Sequence, residues 1–345
     1  MRTVFLSGGS GFFGGILKRT LLDRGFRVVN FDLIADPDRH PNLVSVQGDL
    51  RNAKLVEQTF AQHPFTAAFH IAAMLAHGSH VDDNLIWTSN VEGTRNIADA
   101  CRTHGVKKLI FTSTNCLWAR NLGRPVREDD PPEPIEVYGR SKAAAEKVLA
   151  EYADLQVVII RCPTIIDEGR LGLLSILFEF IREGRKVWVV GSGDNHYQFI
   201  YAADLADACI LALHYNQSNL FHIGSNNVTS LRQVYEGVIA QAGTRARVAS
   251  LPKAPTLAAM KIAHQLKISP LGPYHYKMIA EDFTFDTSRI QRELHWQPTL
   301  TNQQMLLRAY EYYVRNKADI DARTDVSAHN KASDMGVIRL LKWIS

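Results

Sequence analysis

The chain has 345 residues, with 46% hydrophobic and 21% charged side chains, a composition typical of an ordinary globular protein. Its 39 basic residues nearly balance its 35 acidic ones, so a nucleic-acid partner is not expected. The four cysteines lack disulfide or metal-site spacing, no apolar run is long enough to span a bilayer, and the strand pattern at the start predicts no signal peptide. A cytoplasmic location is therefore expected.

A glycine-rich turn follows the first predicted strand. Residues 3–6 are β-branched or apolar, which is typical of a buried strand, and helical periodicity begins at residue 16. Between them, Gly8, Gly11 and Gly14 recur at three-residue intervals. A turn without side chains lets the backbone approach a pyrophosphate, whose charge faces the N-terminus of the following helix. The pattern therefore predicts a dinucleotide site.

The second predicted strand, residues 27–32, ends on Asp32, 18 positions after Gly14. A carboxylate at this place can accept hydrogen bonds from both hydroxyls of the adenosine ribose, and it repels a 2′-phosphate. This favours NAD over NADP as the cofactor. Arg39 lies nearby in the sequence and could attract such a phosphate, so NADP stays an alternative.

Short apolar runs alternate with helix-like segments through the next hundred residues. The runs cover residues 67–73, 108–113 and 157–161, and the helical patterns cover 91–103 and 141–153. This alternation predicts an α/β protein with a doubly wound parallel sheet of the Rossmann type, covered by helices on both faces.

The chain is expected to divide into two lobes and a tail. Residues 1–165 would form the dinucleotide-binding domain, and residues 196–223 would return to it. Residues 166–195 and 224–315 would form a smaller α+β substrate lobe, and residues 316–345 a C-terminal tail.

Tyr138 and Lys142 stand four positions apart at the start of a run of strong helix formers, which places both on one helix face. A free phenol is a poor base at neutral pH, but a nearby cation favours the phenolate and lowers its pKa. The pair therefore predicts an acid/base catalyst. Taken alone, the spacing is also that of a surface pair, and the upstream glycine turn is what favours catalysis.

Several further segments carry recognisable motifs in a fixed order: the glycine turn 7–14, Gly48-Asp49-Leu50-Arg51, His70-Ile71-Ala72-Ala73, residues 90–96, Phe111-Thr112-Ser113-Thr114, and Tyr138 with Lys142. Over roughly residues 1–315 the sequence thereby resembles the extended short-chain dehydrogenase/reductase superfamily, in particular its NAD-dependent epimerase/dehydratase branch. The resemblance implies catalysis by Thr114, Tyr138 and Lys142, with no metal. It implies cofactor contacts from Gly8, Gly11, Phe12, Phe13, Gly14, Asp32, Asp49, Leu50, His70, Ala72, Ala73, Asn90, Tyr138 and Lys142.

The chemistry implied by this resemblance is hydride transfer at an alcohol carbon. Tyr138 would remove the proton from a substrate hydroxyl while the hydride passes to NAD, and Thr114 would hydrogen-bond the same oxygen. Lys142 would lower the pKa of Tyr138 and hydrogen-bond the nicotinamide ribose. The expected enzyme is an epimerase of a nucleotide sugar, working as a homodimer.

Two departures from the family pattern bear on the reaction and the substrate. Asn115 and Cys116 stand where the dehydratases of this branch carry Asp-Glu, which disfavours dehydration. Tyr197 and Gln198 stand where the family has an Arg-Asp pair, and a phenol cannot replace the bidentate charge that the arginine offers to a substrate diphosphate.

The loss of that arginine keeps other functions open. Either His196 or Arg170 could compensate for it in a nucleotide-sugar enzyme. The alternative is an NAD-dependent dehydrogenase or reductase of a bulkier hydroxy or keto substrate, similar to 3β-hydroxysteroid dehydrogenases. A non-catalytic dinucleotide sensor is a third hypothesis.

The substrate side is less well defined by sequence. Residues 254–267 have the pattern of a helix, and residues 269–277 that of a loop whose Tyr274, His275 and Lys277 could line the pocket or simply pack on the surface. The tail ends in a short amphipathic segment, residues 335–345, for which we expect docking onto protein or a weak contact with a membrane surface.

Overall fold

A computed structural model describes residues 1–75, 82–266, 268 and 272–322. Its strands are β1 (Thr3–Ser7), β2 (Arg27–Asp32), β3 (Leu43–Gln47), β4 (Phe65–His70), β5 (Lys108–Thr114), β6 (Gln156–Cys162), β7 (Thr164–Ile166), β8 (Lys186–Val190), β9 (Phe199–Tyr201), β10 (Asn219–His222) and β11 (Arg247–Leu251).

The helices are α1 (Phe12–Asp23), α2 (Ala53–Gln62), α3 (Asp83–Trp87), α4 (Gly93–Thr103), α5 (Val137–Ala150), α6 (Leu174–Arg182), α7 (Ala202–Ala212), α8 (Leu231–Ala242), α9 (Lys253–Gln265), α10 (Pro273–Met278), α11 (Ser288–Leu294), α12 (Asn302–Arg315) and α13 (Lys317–Asp321). A π-helical turn, Thr88–Glu92, leads directly into α4, and a 3₁₀ turn, Asn115–Leu117, follows β5.

Seven strands form one parallel sheet in the order β10-β6-β5-β4-β1-β2-β3. From β1 the chain first moves to one side, through β2 and β3, and then crosses to the other side at β4. Ligands of such sheets bind beyond the carboxyl ends of the strands where this direction changes. The sheet confirms the predicted Rossmann-type fold. A ligand is expected beyond the carboxyl ends of β1 and β4, and this side of the sheet is called the functional edge.

Two apolar layers hold the sheet between helices. Helices α1 and α7 cover one face with side chains such as Leu17 and Leu205, and α2, α4 and α5 cover the other with side chains such as Phe60 and Ile97. All seven residues of β5 are buried, as expected for a central strand of a parallel sheet. The functional edge is therefore built on strands that solvent does not reach.

A third apolar cluster lies in the C-terminal half. It packs α6, α8 and α12 around Phe178 and includes β8, which pairs with β11 in a separate two-stranded sheet. Helix α12 buries five apolar residues at helical spacing, Met305, Leu306, Ala309, Tyr310 and Tyr313. Strand β10 rejoins the main sheet beside β6, while the division into the two predicted lobes stays a prediction.

Two parts of the C-terminal half differ from the sequence predictions. Residues 273–277 belong to helix α10 rather than to a loop, because Pro273 occupies the first turn, where its fixed φ favours a helix. Residues 317–321 of the predicted tail form α13, which buries Ile320. The amphipathic segment 335–345 lies outside the described residues. Within the described part of the chain, no helix is long and apolar enough to cross a bilayer.

Candidate active site

The glycine turn is packed so closely that side chains are excluded from it. Gly8 has a φ of 81°, and a Cβ there would lie 2.8 Å from the Cα of Ala72 at the end of β4. A Cβ on Gly14 would collide with the carbonyl oxygen of Gly8. The side chains of Phe12 and Phe13 point into the core, so the backbone is what the turn presents at the N-terminus of α1. This surface fits a pyrophosphate.

Asp32 ends β2 beside this turn. Its carboxylate accepts hydrogen bonds from the backbone N–H groups of Ser10, at 3.0 Å, and Ile34, at 3.1 Å. Burial raises the pKa of Asp32, and these two N–H groups oppose the increase. Its neighbours Leu33 and Ile34 are about half exposed and offer no charge to a 2′-phosphate. The place and surroundings of Asp32 support its predicted contact with the ribose of NAD.

Both ring nitrogens of His70 are hydrogen-bonded within the protein. Its Nδ1 lies 2.7 Å from Ser7 Oγ and its Nε2 lies 2.9 Å from Thr94 Oγ1. Ser7 Oγ already accepts bonds from the N–H groups of Ile71 and Ala72, so its proton goes to Nδ1 and the imidazole is protonated on Nε2. Burial holds the pKa of His70 well below its ordinary value. Because both ring nitrogens are used within the protein, this neutral side chain positions the end of β4, and its contact with the cofactor stays a prediction.

The polar side-chain atoms of Asn90 are also hydrogen-bonded within the protein. Its Oδ1 accepts from the N–H of Met74 at 2.7 Å, and its Nδ2 donates to the carbonyl of Met74 at 3.0 Å and to Ser141 Oγ at 2.9 Å. It lies in the π-helical turn, an irregularity that is frequent at functional sites. The Asn90 side chain thereby clamps the segment after β4 to helix α5, and its contact with the cofactor stays a prediction.

The predicted adenine-side residues lie just beyond β3. The Asp49 carboxylate pairs with Arg51, and this hydrogen bond lowers the pKa of Asp49. Leu50 packs under Gly93, where a Cβ would lie 3.0 Å from the leucine Cβ, and the Leu50 carbonyl accepts from Asn96. Their contact with adenine, like that of Ala73 with the nicotinamide side, stays a prediction.

Thr114 and Tyr138 meet at the carboxyl end of the sheet. Thr114 is the last residue of β5, Tyr138 is the second residue of α5, and the hydroxyl of Thr114 is near enough to lower the pKa of Tyr138. Gly139 allows this approach, because a Cβ there would collide with the carbonyl of Cys116 and come within 2.9 Å of Pro134 Cβ. The structure thus brings together two of the three predicted catalytic side chains.

The environment of Tyr138 differs from the expectation for an activated phenol. Burial raises its pKa, and the hydrogen bond from Thr114 and the positive charge of Arg170 act in the opposite direction. Burial also lowers the pKa of Arg170 to about 10, which leaves its guanidinium charged at neutral pH. Arg170 was foreseen only as a possible substitute for the missing arginine at position 197, and nothing in its local sequence indicated that it faces Tyr138.

Lys142 lies on the same face of α5, one turn after Tyr138. It is 2% exposed, and its ammonium stands 3.8 Å from the centre of the Phe111 ring. Burial lowers the pKa of Lys142 to about 7, although Glu146 opposes the decrease. The predicted effect of this ammonium on the pKa of Tyr138 stays a prediction.

Replacement of Lys142 by methionine should change how stability depends on pH. The folded pKa of about 7 lies below the ordinary 10.5, so between these values the unfolded chain binds more protons and the wild type gains stability as pH rises. The slope in this window is at most about 1.4 kcal/mol per pH unit. Without bound dinucleotide, Lys142→Met should therefore exceed the wild type in Tm most clearly near about pH 6, and this advantage should shrink by about pH 9.

The matched control for this prediction is Lys147→Met, which removes an exposed lysine from the last turn of the same helix. Its Tm should run parallel to that of the wild type over the same pH range. A constant difference between Lys142→Met and the wild type would contradict the lowered pKa of Lys142.

A network of neutral hydrogen-bonded groups lies next to Thr114, the neighbour of Asn115 in the chain. Asn115 donates its two amide hydrogens to the hydroxyls of Tyr197, at 2.8 Å, and Tyr274, at 2.9 Å, and the two hydroxyls lie 3.2 Å apart. The amide of Asn115 thus anchors two segments of the C-terminal half. Sequence reasoning noted all three residues separately and missed their contact.

Cys116 supplies no acid or base beside this network. Burial raises its pKa to about 12, so the thiol is neutral at physiological pH. Gln198, at the other substituted position, is also internal, because it donates to the carbonyl of Ser225 and accepts from the N–H of Phe285. Neither residue offers a charge to a substrate.

A surface cavity of about 570 Å³ lies between the segment after β5 and helices α9 and α10. It is lined by apolar, cationic and aromatic groups with one carboxylate, namely Ala119, Arg120, Asn121, Leu257, Ala258, Lys261, Tyr276, Lys277 and Glu281. Lys277 lines this cavity, whereas Tyr274, from the same helix, faces the Asn115 network; the contact of either residue with a substrate stays a prediction. The cations suit a phosphate-bearing ligand.

Comparison with known proteins agrees with this arrangement. The sequence model of the NAD dependent epimerase/dehydratase family matches residues 4–224. The uncharacterized protein y4nG of Sinorhizobium fredii is 35% identical over 323 residues, which cover 93% of this chain and 81% of that protein. The UDP-glucose 4-epimerase of Lacticaseibacillus casei is 29% identical over 253 residues, which cover 65% of this chain and 76% of that enzyme.

The fold is also that of a solved structure, UDP-glucose 4-epimerase from Thermotoga maritima with UDP-glucose. The TM-score is 0.75, and the match covers 91% of this chain and 99% of that one. At 20% identity the likeness extends to the fold alone.

A parallel sheet with a side-chain-free turn at its switch point defines a dinucleotide-binding protein of the Rossmann class. The chain belongs to the NAD dependent epimerase/dehydratase family. This membership confirms the resemblance found in the sequence and the predicted cofactor, NAD.

Proposed function

We infer that this protein is an NAD-dependent epimerase that acts on a hydroxyl group of a nucleotide sugar. The observation that carries the proposal is the placement of Thr114, at the end of β5, next to Tyr138, at the start of α5, on the edge of the sheet that also holds the glycine turn. Two hydroxyls beside a dinucleotide site suit oxidation and reduction at an alcohol carbon. The relationship to a UDP-glucose 4-epimerase supports a nucleotide sugar as substrate.

The roles of the residues follow from their placement. Thr114 donates or accepts a hydrogen bond at the substrate oxygen and holds it next to Tyr138. Tyr138 accepts the hydroxyl proton in one direction and returns it in the other. NAD, held at the glycine turn and Asp32, supplies the hydride acceptor when it is bound. Lys142 is buried on the same face of α5 as Tyr138, and its pKa is lowered to about 7. It therefore provides a second group on this face that can exchange a proton near neutral pH.

The neutral groups at positions 115 and 116 favour epimerisation over dehydration. Elimination of water needs an acid and a base of its own, and here those positions hold an amide that is fully hydrogen-bonded and a thiol whose pKa is about 12. The cavity beside α9 and α10, with Arg120, Lys261 and Lys277, is the candidate site for the diphosphate.

The experiment that tests this function is incubation with NAD and UDP-glucose. We expect the 4-epimer to form, as followed by chromatography of the nucleotide sugars, without accumulation of NADH in the absorbance spectrum. A stoichiometric rise of NADH with formation of a ketone would contradict an epimerase and favour a dehydrogenase. This second candidate is supported by the neutral phenol of Tyr197, which stands where the family has an arginine and is hydrogen-bonded to Tyr274.

Binding measurements separate the substrate classes. With NAD present, nucleotide sugars should raise the Tm, because a ligand of the folded state stabilises it, whereas steroid alcohols should leave it unchanged. Stabilisation by steroid alcohols alone would contradict the proposed substrate.

A further inference from the structure

Helix α9 is apolar on both its inner and its outer face. The helix packs against α10, and its inner face carries Leu257 and Met260, which are half-buried, and Ala263, which is buried. A surface helix normally has polar residues on its outer face. The outer face of α9 instead carries a stripe of exposed apolar residues at intervals of three and four positions, namely Pro255, Ala259, Ile262 and Leu266.

The last turn of α9 concentrates exposed aliphatic side chains. Ile262 is 57% exposed, Leu266 is 64% exposed, and Ile268, just after the helix, is 51% exposed. The N–H of Ile268 donates to the carbonyl of Ala263 at 3.0 Å, which holds this residue at the end of the helix. Single exposed apolar residues are normal on a protein surface, whereas a group of them marks a binding surface. We call Ile262, Leu266 and Ile268 the apolar end of α9.

The sequence around the apolar end is basic. Residues 251–280 contain four lysines and no aspartate or glutamate, so this stretch alone has the formal net charge of the whole chain, +4. Lys253 is paired with Glu281 at 2.9 Å, whereas Lys261 and Lys277 form no ion pair with a described residue. Lys261 directly precedes Ile262 and is exposed. The apolar end is therefore presented together with cations that lack an acidic partner in the described part of the chain.

This charge distinguishes between the surfaces that could cover the apolar end. A second copy of the chain would place the same lysines opposite one another, which is unfavourable. The C-terminal segment 335–345, outside the described residues, carries Arg339 and Lys342 and no acidic residue, so it would be repelled as well. A bilayer that contains anionic lipids instead offers acyl chains to the aliphatic side chains and phosphates to the lysines.

We propose that the apolar end of α9 attaches this protein to the surface of an anionic lipid bilayer. Ile262 and Leu266 lie among the upper parts of the acyl chains, and the neighbouring lysines lie near the lipid phosphates. Because Leu257 and Lys261 of the same helix line the cavity beside α10, that cavity then opens close to the membrane surface. The attachment is peripheral, and it is independent of the proposed function.

Co-sedimentation with lipid vesicles tests this inference. The full-length protein should sediment with vesicles of phosphatidylcholine and phosphatidylglycerol, and it should bind vesicles of phosphatidylcholine alone much more weakly. Replacement of both Ile262 and Leu266 by serine should lower the partition coefficient for the anionic vesicles by about 10- to 100-fold, because two aliphatic side chains no longer leave water on binding. Added salt should weaken binding of the wild type, since it screens the lysines.

The matched control is Val314→Ser. Val314 is also an exposed apolar residue of a helix, 41% exposed on α12, and it lies outside the basic stretch around α9. Its partition coefficient should equal that of the wild type. Circular dichroism and Tm should agree among the wild type and all variants without lipid, because each replaced side chain is exposed.

Several outcomes would overturn the inference. They are absence of binding to the anionic vesicles, equal binding to both kinds of vesicle, and equal binding by the wild type and the double serine variant. Loss of binding in Trp343→Ser but not in the double variant would assign the membrane contact to the C-terminal segment instead. A lower oligomeric mass of the double variant in analytical ultracentrifugation without lipid would identify the apolar end as an interface between copies, and would likewise overturn the inference.

Discussion

Replacement of Tyr138 by phenylalanine should reduce turnover by about 10²- to 10⁴-fold, the usual contribution of a positioned acid/base group. The ring would remain in place at the start of α5, and the change removes only the hydroxyl that meets Thr114. NAD binding should persist, because the glycine turn and Asp32 lie on other elements. The measurement is kcat with the best nucleotide sugar, together with a titration of NAD.

The matched control is Tyr152→Phe. Tyr152 follows the same helix and its hydroxyl bonds Asp99 at 2.9 Å, in the apolar layer that α4 and α5 share. Loss of this bond should cost on the order of 1 kcal/mol of stability and leave kcat unchanged. Substantial turnover by Tyr138→Phe, with Tyr152→Phe equally active, would refute the role given to Tyr138.

Gly14→Ala should weaken NAD binding by about 10- to 100-fold, while Gly15→Ala should leave it nearly unchanged. A Cβ on Gly14 collides with the carbonyl of Gly8, and neither backbone can move without reshaping the turn. Forced overpacking of this kind costs about 1–3 kcal/mol. A Cβ on Gly15 would instead meet only Arg19 Nη1 at 3.6 Å and the carbonyl of Gly9 at 3.7 Å, which are ordinary contacts.

Isothermal titration of NAD, with circular dichroism to confirm folding, measures both variants. Because Gly14 and Gly15 are adjacent in α1, the helix propensity gained by alanine is the same at both positions. Equal NAD affinity of the two variants would contradict the assignment of the glycine turn to the cofactor.

Features that depend on short stretches of sequence could be predicted well. The glycine turn, the acidic end of β2 and the spacing of Tyr138 and Lys142 are each encoded within a few residues, and the structure brings them to one edge of the sheet. Strand β2 occupies the residues that its pattern predicted. The parallel direction of the strands follows from the alternation of strands and helices.

The roles of polar side chains could not be predicted in the same way. A motif places Asn90 and His70 near the cofactor, but only the three-dimensional arrangement shows that their polar atoms are used by Met74, Ser7 and Thr94. The bond between Asn115 and Tyr274 joins residues 159 positions apart. No local pattern encodes such a contact, and the same holds for the direction of Arg170.

The hydrogen bonds of Asn90 have a consequence for which parts of this protein can change in evolution. The Asn90 clamp joins the main chain of Met74, on the cofactor side, to Ser141 in the catalytic helix, and it touches none of the groups assigned to substrate. Substitutions in the segments assigned to substrate therefore leave this one clamp unchanged. We expect relatives to keep Asn90 and Ser141 while their substrate-facing segments diverge.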